Sequence, residues 1–137
     1  YSLTITKHYS SYAQKLKDKV KEQGDCKKKS FVYQFALMDL ENKMYDCYGS
    51  SLKSEKEAFE NALQINDKLS GLYIIMSFIH YKQNDLKMSE SMINKALSMR
   101  NNPGYTIPSF SECIKDLVYT PQNVANCIEA AINQKKL

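Results

Sequence analysis

The stretch that decides the fold is residues 72–81, which read LYIIMSFIHY. Its side chains are apolar on nearly every side of a helix, and a helix of that kind is normally buried at the centre of a domain. Ser70 and Gly71 precede the stretch, and the polar residues 83–85 follow it. The pattern therefore predicts a central buried helix against which the rest of the chain packs.

The segments on either side carry amphipathic helical patterns separated by breaks that contain glycine, asparagine or proline. Four glycines and three prolines leave little material for a turn-rich β fold. We predict an all-α protein with about seven helices in a compact, disulfide-bonded helical bundle. The predicted helices cover residues 4–23, 30–45, 54–65, 72–81, 86–99, 109–118 and 121–134.

The length of the chain, 137 residues, is near the commonest size of a single domain, and 43% of the residues are hydrophobic. We expect one helical domain over residues 1–137, with a basic N-terminal helix at about 4–23 and a helical core at about 30–134. The longest apolar run, residues 72–79, is far shorter than the ~18 residues that cross a bilayer. No transmembrane segment is therefore predicted.

Four cysteines in a small chain favour a disulfide framework rather than a metal site, because no C-x-x-C pair is present. Cys113 and Cys127 lie symmetrically around Thr120, so antiparallel helices would bring them level with one another. A Cys26–Cys47 bridge requires a break between these residues, since an unbroken helix would hold its ends about 30 Å apart. The alternative is that both of these cysteines pair with the C-terminal ones.

The chain also shows self-similarity at a spacing of thirty-four residues, which links Ala62, Ala96 and Ala130. Residues 81–85, YKQND, and residues 95–103, which begin KAL and end NNP, resemble the helix junction and the second-helix ending of tetratricopeptide repeats. The resemblance is best over residues 71–104. It implies antiparallel helix pairs stacked in layers and a concave face that binds a peptide or a protein.

A set of apolar and aromatic side chains in the central helices predicts either a pocket for a small hydrophobic ligand or a plain packed core. The set is Tyr73, Met76, Phe78, Ile79, His80, Met88, Met92 and Ile93. His80, which lies inside the apolar helix, is interpreted either as a pH-sensitive contact or as a packed residue with one hydrogen bond.

Lysines are concentrated near the N-terminus, and the candidate polyanion-binding residues are Lys15, Lys17, Lys19, Lys21, Lys27, Lys28 and Lys29. Clustered cations favour heparin-like glycans, nucleic acid or an acidic protein surface, because binding releases counterions. The alternative is a solvated helix face, since only Tyr9 and Tyr12 interleave with these lysines and no arginine does.

No phosphate-binding glycine loop and no H-E-x-x-H or G-x-S-x-G motif occurs, so we expect no catalytic residues, no cofactor and no metal. The chain begins with Tyr1 rather than Met, which fits a secreted protein whose signal peptide has been removed. Ten tyrosines favour a binding surface. We interpret the chain as an extracellular, non-enzymatic inhibitor or effector that binds another protein; the alternatives are a carrier of a small hydrophobic ligand and polyanion binding.

Overall fold

The fold is organised around the apolar stretch described above, which forms the helix Gly71–Lys82 in a computed structural model of the chain. The structure describes residues 2–41, 51–65, 67, 70–99, 112–114 and 117–135. Within these ranges the chain is all-helical, which confirms the predicted fold class. Six α-helices are present in the described residues: α1 Ser2–Glu22, α2 Phe31–Glu41, α3 Leu52–Ile65, α4 Gly71–Lys82, α5 Leu86–Ser98 and α6 Pro121–Lys135.

The central helix α4 packs against α2, α3, α5 and α6, and α1 packs against α2 and α3. Leu72, Ile74 and Ile75 of α4 are each only 1% exposed, because neighbouring helices cover the helix on several sides. The Phe78 ring lies 5.4 Å from the ring of Phe31 on α2. An apolar helix surrounded in this way removes a large hydrophobic area from water, and this burial is the main stabilising contribution to the fold.

Helices α4 and α5 form a closely paired antiparallel unit. Asn84 adopts a left-handed conformation with φ 62° in the turn, and the Asp85 carboxylate accepts a hydrogen bond from the Met88 amide at 3.1 Å. Farther along the pair, the Ser89 hydroxyl donates to the Ser77 carbonyl oxygen at 2.9 Å, and both serines are fully buried. Small side chains at this point allow the two backbones to approach.

The alanines of the thirty-four-residue spacing do not occupy equivalent positions. Ala62 and Ala96 are buried at 1% and 3% exposure, as expected of small residues between paired helices. Ala130 on α6 is exposed. Small buried residues between paired helices are therefore found at Ala62 and Ala96, whereas α6 does not repeat them at Ala130.

Where the structure tests them, the predicted helix boundaries agree to within two residues except over residues 109–118. The described part of α2 ends at Glu41, and the predicted end at residue 45 falls among residues 42–50, which lie outside the described residues. Of the predicted helix over 109–118, the described residues contain a 3-10 turn at Glu112–Ile114 and a non-helical stretch at 117–118. The helix α6 begins at Pro121 with Thr120 as its cap, since the Thr120 hydroxyl accepts from the Asn123 amide at 3.3 Å.

Among the described residues, none of the helices has the length and apolar character that crossing a bilayer requires. The assignment of the whole chain to one domain stays a prediction. Within the part that is described, a continuous hydrophobic core joins side chains from all six helices, as shown by Leu16, Phe35, Ala58, Ile93 and Ile128 together with α4.

Candidate nucleic-acid interface

The N-terminal lysines form two groups, one along the C-terminal half of α1 and one in the connection between α1 and α2. Helix α1 ends at Glu22, and the backbone of Gly24 then takes a left-handed conformation with φ 76°. Residues other than glycine rarely adopt this conformation. The amide of Gly24 donates to the Lys21 carbonyl oxygen at 3.3 Å and closes the helix end. The chain can therefore turn sharply within a few residues.

The turn that follows has its own hydrogen bonds. Residues Cys26–Lys28 form a 3-10 turn, in which the Lys28 amide donates to the Asp25 carbonyl oxygen at 2.9 Å and the Lys29 amide donates to that of Cys26 at 3.2 Å. The Gln23 side-chain oxygen accepts a hydrogen bond from the Ser30 amide, which links the two sides of the corner. These bonds fix the backbone that carries the second group of lysines.

We call this segment the basic corner and define it by the lysines at positions 15, 17, 19, 21, 27, 28 and 29. Five of them are exposed, and Lys19 and Lys29 are partly buried. The acids interspersed with them are Asp18, Glu22 and Asp25, so residues 15–29 carry a net charge of +4, equal to the formal charge of the whole chain. The remainder of the protein is therefore balanced, and the positive field is concentrated at the corner.

Two contacts show how the acids of the corner are engaged. The Lys19 ammonium lies 3.8 Å from the Glu22 carboxylate, and an exposed pair at that distance contributes little to stability. The Asp18 carboxylate accepts from the Gln14 amide group at 2.9 Å. The corner thus carries seven lysines, five of them exposed, and its turn is held by backbone hydrogen bonds, which suits contact with an extended anion.

The predicted apolar ligand residues are mostly part of the core. Met76, Phe78, Ile79, His80 and Ile93 are all buried, with exposures of 1–8%. Tyr73 and Met92 are partly buried, the Tyr73 ring lies 5.1 Å from the Phe59 ring, and Met88 is 37% exposed. The structure therefore packs most of the set together as core and does not bring Met88 into it.

An open cleft of about 760 Å³ lies elsewhere, between the α4–α5 turn and the start of α6. Its lining includes Lys82, Leu86, Glu90 and Pro121. Lys82 is paired with Glu129 at 2.7 Å, so the cleft is balanced in charge. It shares no lining residue with the apolar set predicted from the sequence.

His80 is 2% exposed, and among the described residues neither of its ring nitrogens has a hydrogen-bond partner. Burial lowers the pKa of His80; Asp85 acts in the opposite direction, and Lys56 lowers the pKa further. The histidine is therefore a packed neutral side chain without the single hydrogen bond expected from the sequence.

The cysteines divide between the two ends of the described chain. Cys113 and Cys127 form a disulfide with a Cα–Cα distance of 5.9 Å, between the Glu112–Ile114 turn and α6 rather than between two antiparallel helices. Cys26 is also disulfide-bonded. Its predicted partner, Cys47, lies outside the described residues.

Comparison with known proteins finds one relevant similarity. The chain is 44% identical over 63 residues to a protein of Archaeoglobus fulgidus named "Probable transposase for insertion sequence element ISA1214". The aligned part is 46% of this chain and 16% of the relative, so the chain spans a small fraction of the length of the curated relative it matches. No protein-family model and no solved structure matches the chain.

This similarity corrects the functional interpretation made from the sequence. The predictions of a secreted inhibitor or effector and of an extracellular location are wrong, because the similarity is to a protein of an insertion sequence element. The predictions of a ligand carrier and of a removed signal peptide belonged to the same interpretation and are withdrawn with it. Cysteine content misled because a disulfide framework does not by itself define the compartment of a protein.

Proposed function

We propose that this chain is a helical nucleic-acid-binding module of a protein related to insertion sequence transposases. A transposase for such an element works on DNA, and the basic corner is the surface of this chain best suited to meet DNA. The observation that carries the proposal is the concentration of the chain's net charge of +4 in residues 15–29. Clustered lysines bind nucleic acid because they displace the counterions condensed on its phosphates.

The geometry of the corner supports this proposal. Hydrogen bonds at Gly24, Lys28 and Lys29 hold the backbone of the turn, so little backbone entropy is lost there when the lysines meet a polyanion. The formal charges of all other residues sum to zero, so the excess positive charge of the chain lies in this segment. We further propose that this part of the protein supplies binding rather than a chemical step.

The test compares two triple variants that each remove three exposed or partly exposed lysine charges. Lys27, Lys28 and Lys29 are changed to Gln in one variant, and the exposed Lys53, Lys87 and Lys95 are changed to Gln in the other. Fluorescence anisotropy with a labelled 20-base-pair duplex measures Kd for each. We expect the corner variant to bind about tenfold more weakly and the control to stay within about twofold of the parent chain.

Circular dichroism of both variants controls for folding. Equal weakening by the two variants would show that only overall charge matters and would contradict the assignment of the site. Failure of the parent chain to bind any nucleic acid at low salt would contradict the proposed function itself.

A further inference from the structure

We infer that the basic corner binds the phosphate backbone of double-stranded DNA and does not read its base sequence. This inference rests on the proposed nucleic-acid function and specifies the ligand of the same site. It follows from the residue types that the corner offers and from their placement around α1.

The first observation concerns the residue types. Residues 15–29 contain seven lysines, but they contain no arginine and no aromatic residue. Lysine presents a point charge on a flexible stem, whereas the planar fork of arginine matches base edges and phosphates with two hydrogen bonds. Single-stranded nucleic acid is bound by stacking its bases on aromatic side chains. Tyr9 and Tyr12 precede this segment on α1, and Tyr12 is partly buried. Residues 15–29 themselves offer no ring on which a base could stack, so a duplex is the better ligand.

The second observation concerns the solvent-facing side of α1, opposite the buried Leu16. Leu16 is fully buried, and Asp18 lies two residues farther along, about 200° around the helix at roughly 100° per residue. The side of α1 that points away from the core therefore carries the Asp18 carboxylate, which is held by Gln14 at 2.9 Å. Inserting this side into a groove of DNA would bring a carboxylate between two rows of phosphates. Direct reading of base edges by α1 is therefore unfavourable.

The third observation concerns the flanks of the same helix. Lys17 and Lys21 lie on one flank, about 100° and 140° from Leu16, and neither acid of α1 lies on that flank. Lys15 and Lys19 lie on the other flank, where Glu22 is 3.8 Å from the Lys19 ammonium. Counting the side chains of α1 alone, the flank of Lys17 and Lys21 carries a charge of +2 and the flank of Lys15, Lys19 and Glu22 carries +1. The flank of Lys17 and Lys21 can lie along a DNA strand while the side of Asp18 faces solvent.

The experiment measures binding of the full 137-residue chain to three 20-base-pair duplexes of different base composition and to one matching single strand, over a series of KCl concentrations. We expect the three duplexes to bind within about threefold of one another and more tightly than the single strand. About four phosphate contacts would give a slope of log K against log salt near −4.

The variant that tests the flank changes Lys17 and Lys21 to Gln together. Its slope should become shallower by about 2, since each phosphate contact contributes about 0.9. The matched control changes the exposed Lys53 and Lys87 to Gln and should leave the slope unchanged.

The outcomes separate this inference from the proposed function. A preference of tenfold or more for one duplex, or tighter binding of the single strand, would overturn the inference and leave nucleic-acid binding intact. An unchanged slope in the Lys17 and Lys21 variant would overturn the placement on that flank. Binding of heparin without binding of any nucleic acid would overturn both.

Discussion

The carboxylate of Glu55 on α3 accepts a hydrogen bond from the hydroxyl of Ser30, the residue before α2, at 2.8 Å. The same carboxylate accepts from the backbone amides of Phe31 at 2.7 Å and Val32 at 2.9 Å. Glu55 is 3% exposed, so a charged side chain from one helix caps the first turn of another inside the protein. The link also anchors the far end of the basic corner to the core.

We predict that Glu55→Ala lowers the free energy of unfolding by about 3 kcal/mol, because three buried donors lose their acceptor. Glu55→Gln keeps one acceptor oxygen and should cost less. Urea unfolding followed by circular dichroism provides the measurement, and Glu57→Ala, at an exposed neighbouring position, should change the value by less than about 0.5 kcal/mol. Equal effects at the two positions would contradict the capping role.

The second prediction concerns stability against pH. Burial lowers the pKa of His80 in the folded protein, so the unfolded chain takes up a proton at a higher pH than the folded chain does. The contribution of neutral, buried His80 to the free energy of unfolding is therefore complete above the ordinary histidine pKa. This contribution decreases as the pH falls from the ordinary pKa through the lowered pKa of the folded protein.

Urea midpoints measured from about pH 7.5 to about pH 5 should decrease for the parent chain. The variant His80→Leu fills a similar volume with an apolar side chain and should show a smaller decrease over the same range. An unchanged decrease in the variant would assign the pH dependence to groups other than His80.

The third prediction concerns the disulfide between Cys113 and Cys127, which encloses a sequence separation of 14 residues. Closing a loop of that size stabilises a fold by about 3 kcal/mol in the chain-entropy description. The double variant with both cysteines changed to Ala should therefore have a free energy of unfolding about 3 kcal/mol lower than that of the parent chain, both measured without reductant. Thermal unfolding of the two proteins side by side measures the difference, and an identical Tm would mean that the bridge adds no stability.

The central helix could be predicted from sequence because an apolar pattern on all sides has one stable location, the interior. Helix starts were less well predicted. The spacing of Ser54 and Glu57 is typical of a capping box, yet α3 begins at Leu52 and the Ser51 hydroxyl accepts from the Ser54 amide at 3.3 Å. Local patterns do not encode the tertiary contact of Glu55, whose partners lie 23–25 residues away.

The sequence predicted which lysines form the candidate site, but it did not predict how the backbone arranges them. Charge density in residues 15–29 is visible in the sequence, whereas the left-handed conformation at Gly24 and the hydrogen bond from Ser30 to Gln23 depend on the fold. The choice among glycan, nucleic acid and protein could not be made from charge, because all three are polyanions or carry acidic patches. Similarity to another protein was needed for that choice.

The burial of most of α4 has a consequence for hydrogen exchange. Amides of Ile74, Ile75 and Met76 lie in a helix that other helices surround, so they should exchange with solvent only when the whole molecule opens. Amides around Gly24 lie at an exposed helix end and should exchange through local fraying. Substitutions at the basic corner can therefore change ligand binding without changing the exchange rates of the slowest amides in α4.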